Sequence, residues 1–177
     1  MNILNNGSIS YNNKKYRYMI FDTIGLVDLI RHNKKFIESL ENTIKLYRES
    51  PNFHISNLVK EWIYYRPDDI TTYFIVYKKN VVISTMRFYY NLKNKSAYFN
   101  LVYTNPDFRG QKICQTNIAH MVNLTKKYIN KYELEVEINN IPALKCYENN
   151  GFKKIKKETL SYNNITKTYY KMRMTVH

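Results

Sequence analysis

Cysteine, glycine, proline and tryptophan are all scarce in this 177-residue chain, which has two, four, four and one of them. Two cysteines cannot make the disulfide-dense framework of a small secreted domain. Cys114 and Cys146 stand in regular apolar patterns, so both are read as small packing residues rather than a bonded pair. Neither has a partner at metal-ligand spacing, and His32, His54, His120 and His177 are scattered, so no metal site is expected. Acidic side chains are half as common as basic ones, 14 against 28. No apolar run approaches the ~18 residues of a membrane span. Met1 to Tyr11 is rich in Asn and Ser and lacks the apolar segment of a signal peptide, so the expected location is the cytoplasm.

The composition that remains is 44% hydrophobic and 24% charged, which reads as one soluble, globular domain over residues 1–177. Residues 1–14 are read as a loose N-terminal extension. The formal charge of +14 has two readings. One is an anionic partner, such as nucleic acid or a nucleotide-bearing ligand. The other is drift towards AT-rich codons, since Lys, Asn, Ile and Tyr are all abundant. The longest basic run is Lys153-Lys154-x-Lys156-Lys157, weak support for nucleic-acid recognition, which is not expected.

Periodicity orders the elements. Tyr16 to Asp22 reads as a strand. Leu26, Leu29, Ile30, Ile37, Leu40, Ile44 and Tyr47 recur at helical steps, and Ile55, Leu58, Val59, Trp62 and Ile63 mark a second helix. Thr71–Lys78 and Val81–Tyr90 are β-branched and aromatic runs joined by Lys79-Asn80, a hairpin signature. Ser96–Thr104 is a further strand and residues 113–129 a helix. Tyr132–Ile138 is a strand and Pro142–Glu148 a short helix with proline in its first turn. Phe152–Leu160 and Thr166–Met174 close the chain as a hairpin. The sum is an α+β (mixed α/β) domain: a central mixed sheet of about six or seven strands flanked by about four helices.

Chemistry concentrates at Pro106-Asp107-Phe108-Arg109-Gly110-Gln111-Lys112-Ile113-Cys114. A strand that ends in a tight turn and opens a helix leaves backbone N–H groups without intrahelical partners, which suits a phosphate. Arg109 and Lys112 add positive charge beside them.

Downstream comes the string Leu134-Glu135-Val136, then Asn140, Ala143, Tyr147 and Gly151-Phe152. With the Arg109-Gly110 turn, this resembles the GNAT superfamily of acetyl-CoA-dependent N-acetyltransferases. The family pattern is a Pro-x-[Tyr/Phe]-Arg-Gly turn, a glycine-rich loop, a Leu-x-Val strand, an Asn-x-x-Ala-x-x-x-Tyr helix and a Gly-Phe stop. The resemblance covers residues 70–174 in element order, and 16–65 by order alone. Lys112 and Cys114 depart from it, standing where the family has small residues.

The resemblance implies a GNAT-like fold in which the strands ending near Thr104 and Val136 splay apart. It implies acetyl-CoA as cosubstrate, with no metal. The pantetheine arm would pair with backbone at Val102, Tyr103 and Thr104 and meet Asn140. The diphosphate would sit on Gly110, Gln111, Lys112, Ile113, Cys114 and Gln115, with Arg109 alongside. Lys112 would give its amide from a helical conformation. Tyr147 would contact the cofactor and protonate the leaving sulfur.

Glu135 matches the proposed base of ribosomal-protein N-terminal acetyltransferases, a role for which burial would have to raise its pKa. The other reading is a solvated polar face that it shares with Glu133 and Glu137 on one side of the strand. No carboxylate or His stands at the alternative base position near Tyr98 and Asn100. The expected acceptor is a neutral or anionic small-molecule amine, such as a nucleotide-linked amino sugar. A protein substrate and a non-catalytic acetyl-CoA-binding module are the alternatives, and no membrane partner is expected.

Overall fold

The computed structural model describes residues 3–22, 70–162 and 165–177, with isolated helical positions at 25, 32, 34, 35, 38 and 39. Eight strands form one sheet: β1 (Ile3–Tyr11), β2 (Lys14–Asp22), β3 (Ile70–Lys78), β4 (Val81–Asn91), β5 (Ser96–Thr104), β6 (Lys131–Glu137), β7 (Lys153–Tyr162) and β8 (Ile165–Thr175). Their spatial order is β1-β2-β3-β4-β5-β6-β8-β7. Every neighbouring pair is antiparallel except β5 and β6. A 3-10 turn, Pro106–Phe108, leads from β5 towards α1 (Ile113–Thr125), and α2 (Ile141–Asn149) follows β6. No helix among the described residues is long and apolar enough to cross a membrane.

The sheet is larger than expected, because residues 3–11 are not a loose extension. They pair with β2 along its length across a turn at Asn12-Asn13, where both residues have positive φ. Two such residues suit the twist of a two-residue hairpin, and asparagine tolerates them well. Ile9 and Tyr11 anchor the strand by burial. Two α-helices are present among the described residues, against about four expected; the stretches 26–47 and 55–66 lie almost wholly outside those residues. Asp22 accepts the Gly25 N–H at 2.8 Å.

The core lies between one sheet face and the two helices. Met86, Phe88, Phe99, Tyr132, Leu134 and Met172 meet Ile113, Ile118 and Met121 of α1 and Leu144 and Tyr147 of α2. Phe99 and Tyr132 stack across the parallel β5–β6 junction, with ring centroids 6.0 Å apart. Burying such a ring contributes about 1.5–3 kcal/mol, and truncating it to Ala costs about 3–5 kcal/mol. Tyr132 is fully buried, and its hydroxyl donates to the Ile129 carbonyl and shares a hydrogen bond with Thr125.

Candidate active site

Two features of β5 shape the site. Its parallel pairing with β6 covers only Ser96↔Lys131, Ala97↔Tyr132 and Tyr98↔Glu133, after which the strands run on without partners across the gap. On its other edge, β5 carries a bulge: Arg87 faces Asn100 and Thr85 faces Tyr103, so Leu101 and Val102 together oppose Met86. Leu101 takes φ 48°, and its N–H is held by the Asn100 side chain at 2.6 Å. Asn100 therefore serves the bulge. The end of β5 is tied down by Asn105, whose N–H donates to the Ile83 carbonyl and whose side-chain amide donates to the Val82 carbonyl.

The turn between β5 and α1 has an open backbone. Among the described residues, no carbonyl or side chain receives the amides of Gly110 to Gln115; the first bond of the helix runs from the Thr116 N–H to the Lys112 carbonyl. Gly110 has φ 77°, and a Cβ there would meet nothing within 4 Å. Lys112 is not helical as expected. It caps α1 in the left-handed region, φ 58° and ψ 21°, at a cost of roughly 1–2 kcal/mol for a residue with a side chain. It thus adopts backbone angles suited to glycine while presenting an exposed ammonium. Gln111 Oε1 is buried without a hydrogen-bond partner among the described residues, and rotating the amide would turn its NH2 to the same place.

Arg109 folds back onto β5. Its Nε donates to the Thr104 carbonyl at 3.3 Å, and its guanidinium lies 5.9 Å from the Tyr103 ring centre. Burial raises the pKa of Tyr103, and the Arg109 charge and hydrogen bond oppose that shift.

Cys114 and Cys146 are joined by a disulfide, Cα atoms 6.2 Å apart, which corrects the reading of both as free packing residues. The bond ties the first turn of α1 to α2, one residue before Tyr147. Tyr147 is 6% exposed and packs against Phe152, ring centroids 6.1 Å apart. Its carbonyl receives the N–H groups of Asn150 and Phe152, which closes the helix at Gly151, φ 87°. Asn140 is the N-cap of α2, accepting the Ala143 N–H at 3.3 Å.

The other sheet face carries the charged groups. Glu133, Glu135 and Glu137 alternate with the buried Leu134 and Val136. Burial tends to raise the pKa of Glu133, but the hydrogen bond from Arg173 and the charges of Lys171, Arg173 and Lys131 outweigh it, so the net shift is downward. Arg173 meets Glu133 at 2.6 Å and Lys167 meets Glu137 at 2.9 Å. Glu135 is exposed and has no hydrogen bond or ion pair among the described residues. Nearby on this face, Arg87 is buried over the ring of Tyr89, which stacks on Tyr98.

The arrangement is a gap between two parallel strands, with an open-amide helix start at one end and a buried tyrosine on the neighbouring helix. Residues 36–152 match the family model of the acetyltransferase (GNAT) family, which is more than half of the chain. The chain belongs to the GNAT acetyltransferase family. It is therefore an acyltransferase by family.

Solved structures share the GNAT fold. A spermidine N-acetyltransferase chimera from Vibrio cholerae and hSSAT superposes with a TM-score of 0.65 at 19% identity, covering 81% of this chain and 91% of that one. The GNAT domain of S. lividans PAT gives 0.65 at 10% identity, covering 97% of both chains. A ribosomal-protein alanine N-acetyltransferase from Escherichia coli gives 0.56 at 14%, covering 70% of this chain and 77% of that one. No curated protein sequence matches this GNAT chain.

The residue pattern did not single out Tyr11, Ser84 or Asn117, which form a buried hydrogen-bond chain beside the gap. The available signal was Asn117 itself, a polar residue among Ile113, Ile118 and Met121 on the apolar stripe of α1.

Proposed function

We propose that the chain transfers the acetyl group of acetyl-CoA to a primary amine. The pantetheine arm would lie along the β5–β6 gap, and the diphosphate on the amides of Gly110, Gln111, Lys112, Ile113, Cys114 and Gln115. The observation that carries this reading is the set of amides at the start of α1 that have no partner among the described residues, next to the divergence of β5 from β6. An anion there gains several N–H donors, the positive end of the helix and the Lys112 ammonium. The open space at Gly110 admits close approach.

Bound acetyl-CoA supplies an activated thioester. The residues of the chain do the rest. Backbone groups of Val102 and Thr104 hold the arm, beside Tyr103. Asn140 caps α2 through its carbonyl oxygen, which leaves its amide nitrogen to donate to the arm. Tyr147 gives its phenolic proton to the departing sulfur, so that coenzyme A leaves as the thiol rather than the thiolate. Glu135, exposed and without an ion pair among the described residues, takes a proton from the attacking amine directly or through water.

The acceptor we favour is a neutral or anionic small-molecule amine, such as a nucleotide-linked amino sugar. The charge of +14 supports this, because the field repels a polyamine. The open position of Glu135 favours a second reading, a protein N-terminus or lysine as acceptor. The test is a thiol-release assay that compares kcat/KM for a UDP-amino sugar, spermidine and short peptides at low and high salt. Highest efficiency with the amino sugar supports the reading. Efficient spermidine turnover refutes the charge argument, and peptide preference moves the acceptor to protein. No turnover with retained binding of coenzyme A would make the chain a binding module.

A further inference from the structure

Four polar groups from four separate elements form one directed chain of hydrogen bonds through the core. The Tyr11 hydroxyl of β1 donates to Asn117 Oδ1 of α1. Asn117 Nδ2 donates to Ser84 Oγ of β4 at 3.0 Å. Ser84 Oγ donates to the Tyr103 carbonyl of β5 at 2.6 Å. Each donor points onward to the next acceptor, an arrangement in which the bonds polarise one another. Tyr11, Ser84, Asn117 and Tyr103 are 0–5% exposed. Burial pushes the Tyr11 phenol strongly upward, so it stays a donor.

The chain joins two segments that bear on the site. Asn117 lies one turn into α1, whose first residues carry the open amides. Tyr103 lies in β5 just past the bulge, where the strand has left β6. Successive residues of a strand direct their backbone groups to opposite edges. The Ser84 bond holds the Tyr103 carbonyl on the β4 side, which leaves the Thr104 N–H directed to the gap, its carbonyl already receiving Arg109 Nε. The contacts of α1 with β4 and β5 are otherwise mainly apolar, through Ile113, Ile118 and Met121, and such contacts are non-directional and resist sliding poorly; the polar Thr125–Tyr132 contact lies at the far end of α1, on β6. A relay of polar groups that must all be satisfied fixes one register.

We propose that Tyr11, Asn117 and Ser84 are positioning residues that set the distance between the pantetheine-binding edge of β5 and the diphosphate-binding start of α1. This rests on the cofactor placement proposed above. The hairpin β1–β2 then has a role in cofactor affinity, because its Tyr11 closes the far end of the relay.

The relay should matter for a ligand that spans both segments and hardly at all for either half alone. Binding of coenzyme A, ADP and pantetheine would be measured by calorimetry or NMR titration on the wild-type chain and on Asn117→Leu, Ser84→Ala, Ser84→Thr and Tyr11→Phe. The relay predicts that Ser84→Ala and Asn117→Leu lose about tenfold or more in affinity for coenzyme A while ADP and pantetheine change less than about twofold. It predicts that Ser84→Thr, which keeps the hydroxyl, binds coenzyme A within about twofold of wild type. Tyr11→Phe and Ser84→Ala, the mildest changes, keep the test valid if Asn117→Leu fails to fold.

Equal losses for the whole ligand and both halves, or unchanged coenzyme A affinity in folded Ser84→Ala and Tyr11→Phe, overturn the proposal. A wild-type chain that binds no coenzyme A overturns the cofactor placement instead, and the relay's role with it.

Discussion

Cys114 and Cys146 bond the opening turn of α1 to α2 one residue before Tyr147, so one covalent link holds the candidate diphosphate site beside the candidate acid. The two cysteines lie 32 positions apart, and closing a loop of that length removes unfolded-state entropy worth about 3–4 kcal/mol. Thiol titration of the native chain should find no free thiol until a reductant is added, and reduction should lower Tm. Two titratable thiols in the untreated native protein would show that the link does not form in solution.

Lys112 is strained where glycine would not be. Lys112→Gly removes a left-handed penalty of roughly 1–2 kcal/mol and restores unfolded-state freedom worth about 0.5–1 kcal/mol, so a net gain between zero and about 1.5 kcal/mol is expected. Denaturant unfolding measures it. The same variant should weaken coenzyme A binding by removing a cation, so stability and affinity should move in opposite directions.

Tyr147→Phe keeps the ring packed against Phe152 and removes only the proton donor. Where chemistry limits turnover, kcat should fall by about 100-fold with little change in affinity for acetyl-CoA. Wild-type turnover in this variant would take Tyr147 out of the mechanism.

Glu133 supplies a pH dependence of known sign. Its folded pKa lies below the usual carboxylate value, despite burial, because Arg173 and Lys171 favour the charged form. Its contribution to stability is therefore present above the unfolded carboxylate pKa and is lost as pH falls through the depressed folded value. Acid unfolding of Glu133→Gln should lose less stability between neutral and acid pH than wild type. An identical acid limb in the two proteins would show that this pair contributes nothing.

The strands with strong β-branched and aromatic patterns were legible: Ser96–Thr104 has the expected bounds, and β3, β4, β6, β7 and β8 differ by a residue or two. β1 is hard to read from the sequence because Asn5, Asn6, Gly7 and Ser8 dilute the alternation, and its one local signal is the hairpin turn at Asn12-Asn13. The α1 turn was legible in position, but the left-handed Lys112 was not, because a lysine gives no sign of positive φ. The disulfide and the Tyr11–Asn117 bond were beyond reach for another reason. They join residues 32 and 106 positions apart, and local patterns say nothing about which distant residues meet. The alternation of Glu133, Glu135 and Glu137 with Leu134 and Val136 is legible in the sequence, but the exposure of Glu135 depends on what the sheet leaves uncovered.

The most direct measurement is amide hydrogen exchange of the chain with and without acetyl-CoA. The amides of residues 110–115 have no partner among the described residues, so they should exchange fast when free. Acetyl-CoA should slow them markedly, together with backbone amides at 102–104 and the Asn140 region, while the β1–β2 turn at Asn12-Asn13 stays unchanged. Saturating acetyl-CoA that leaves residues 110–115 exchanging at the free rate would contradict the account.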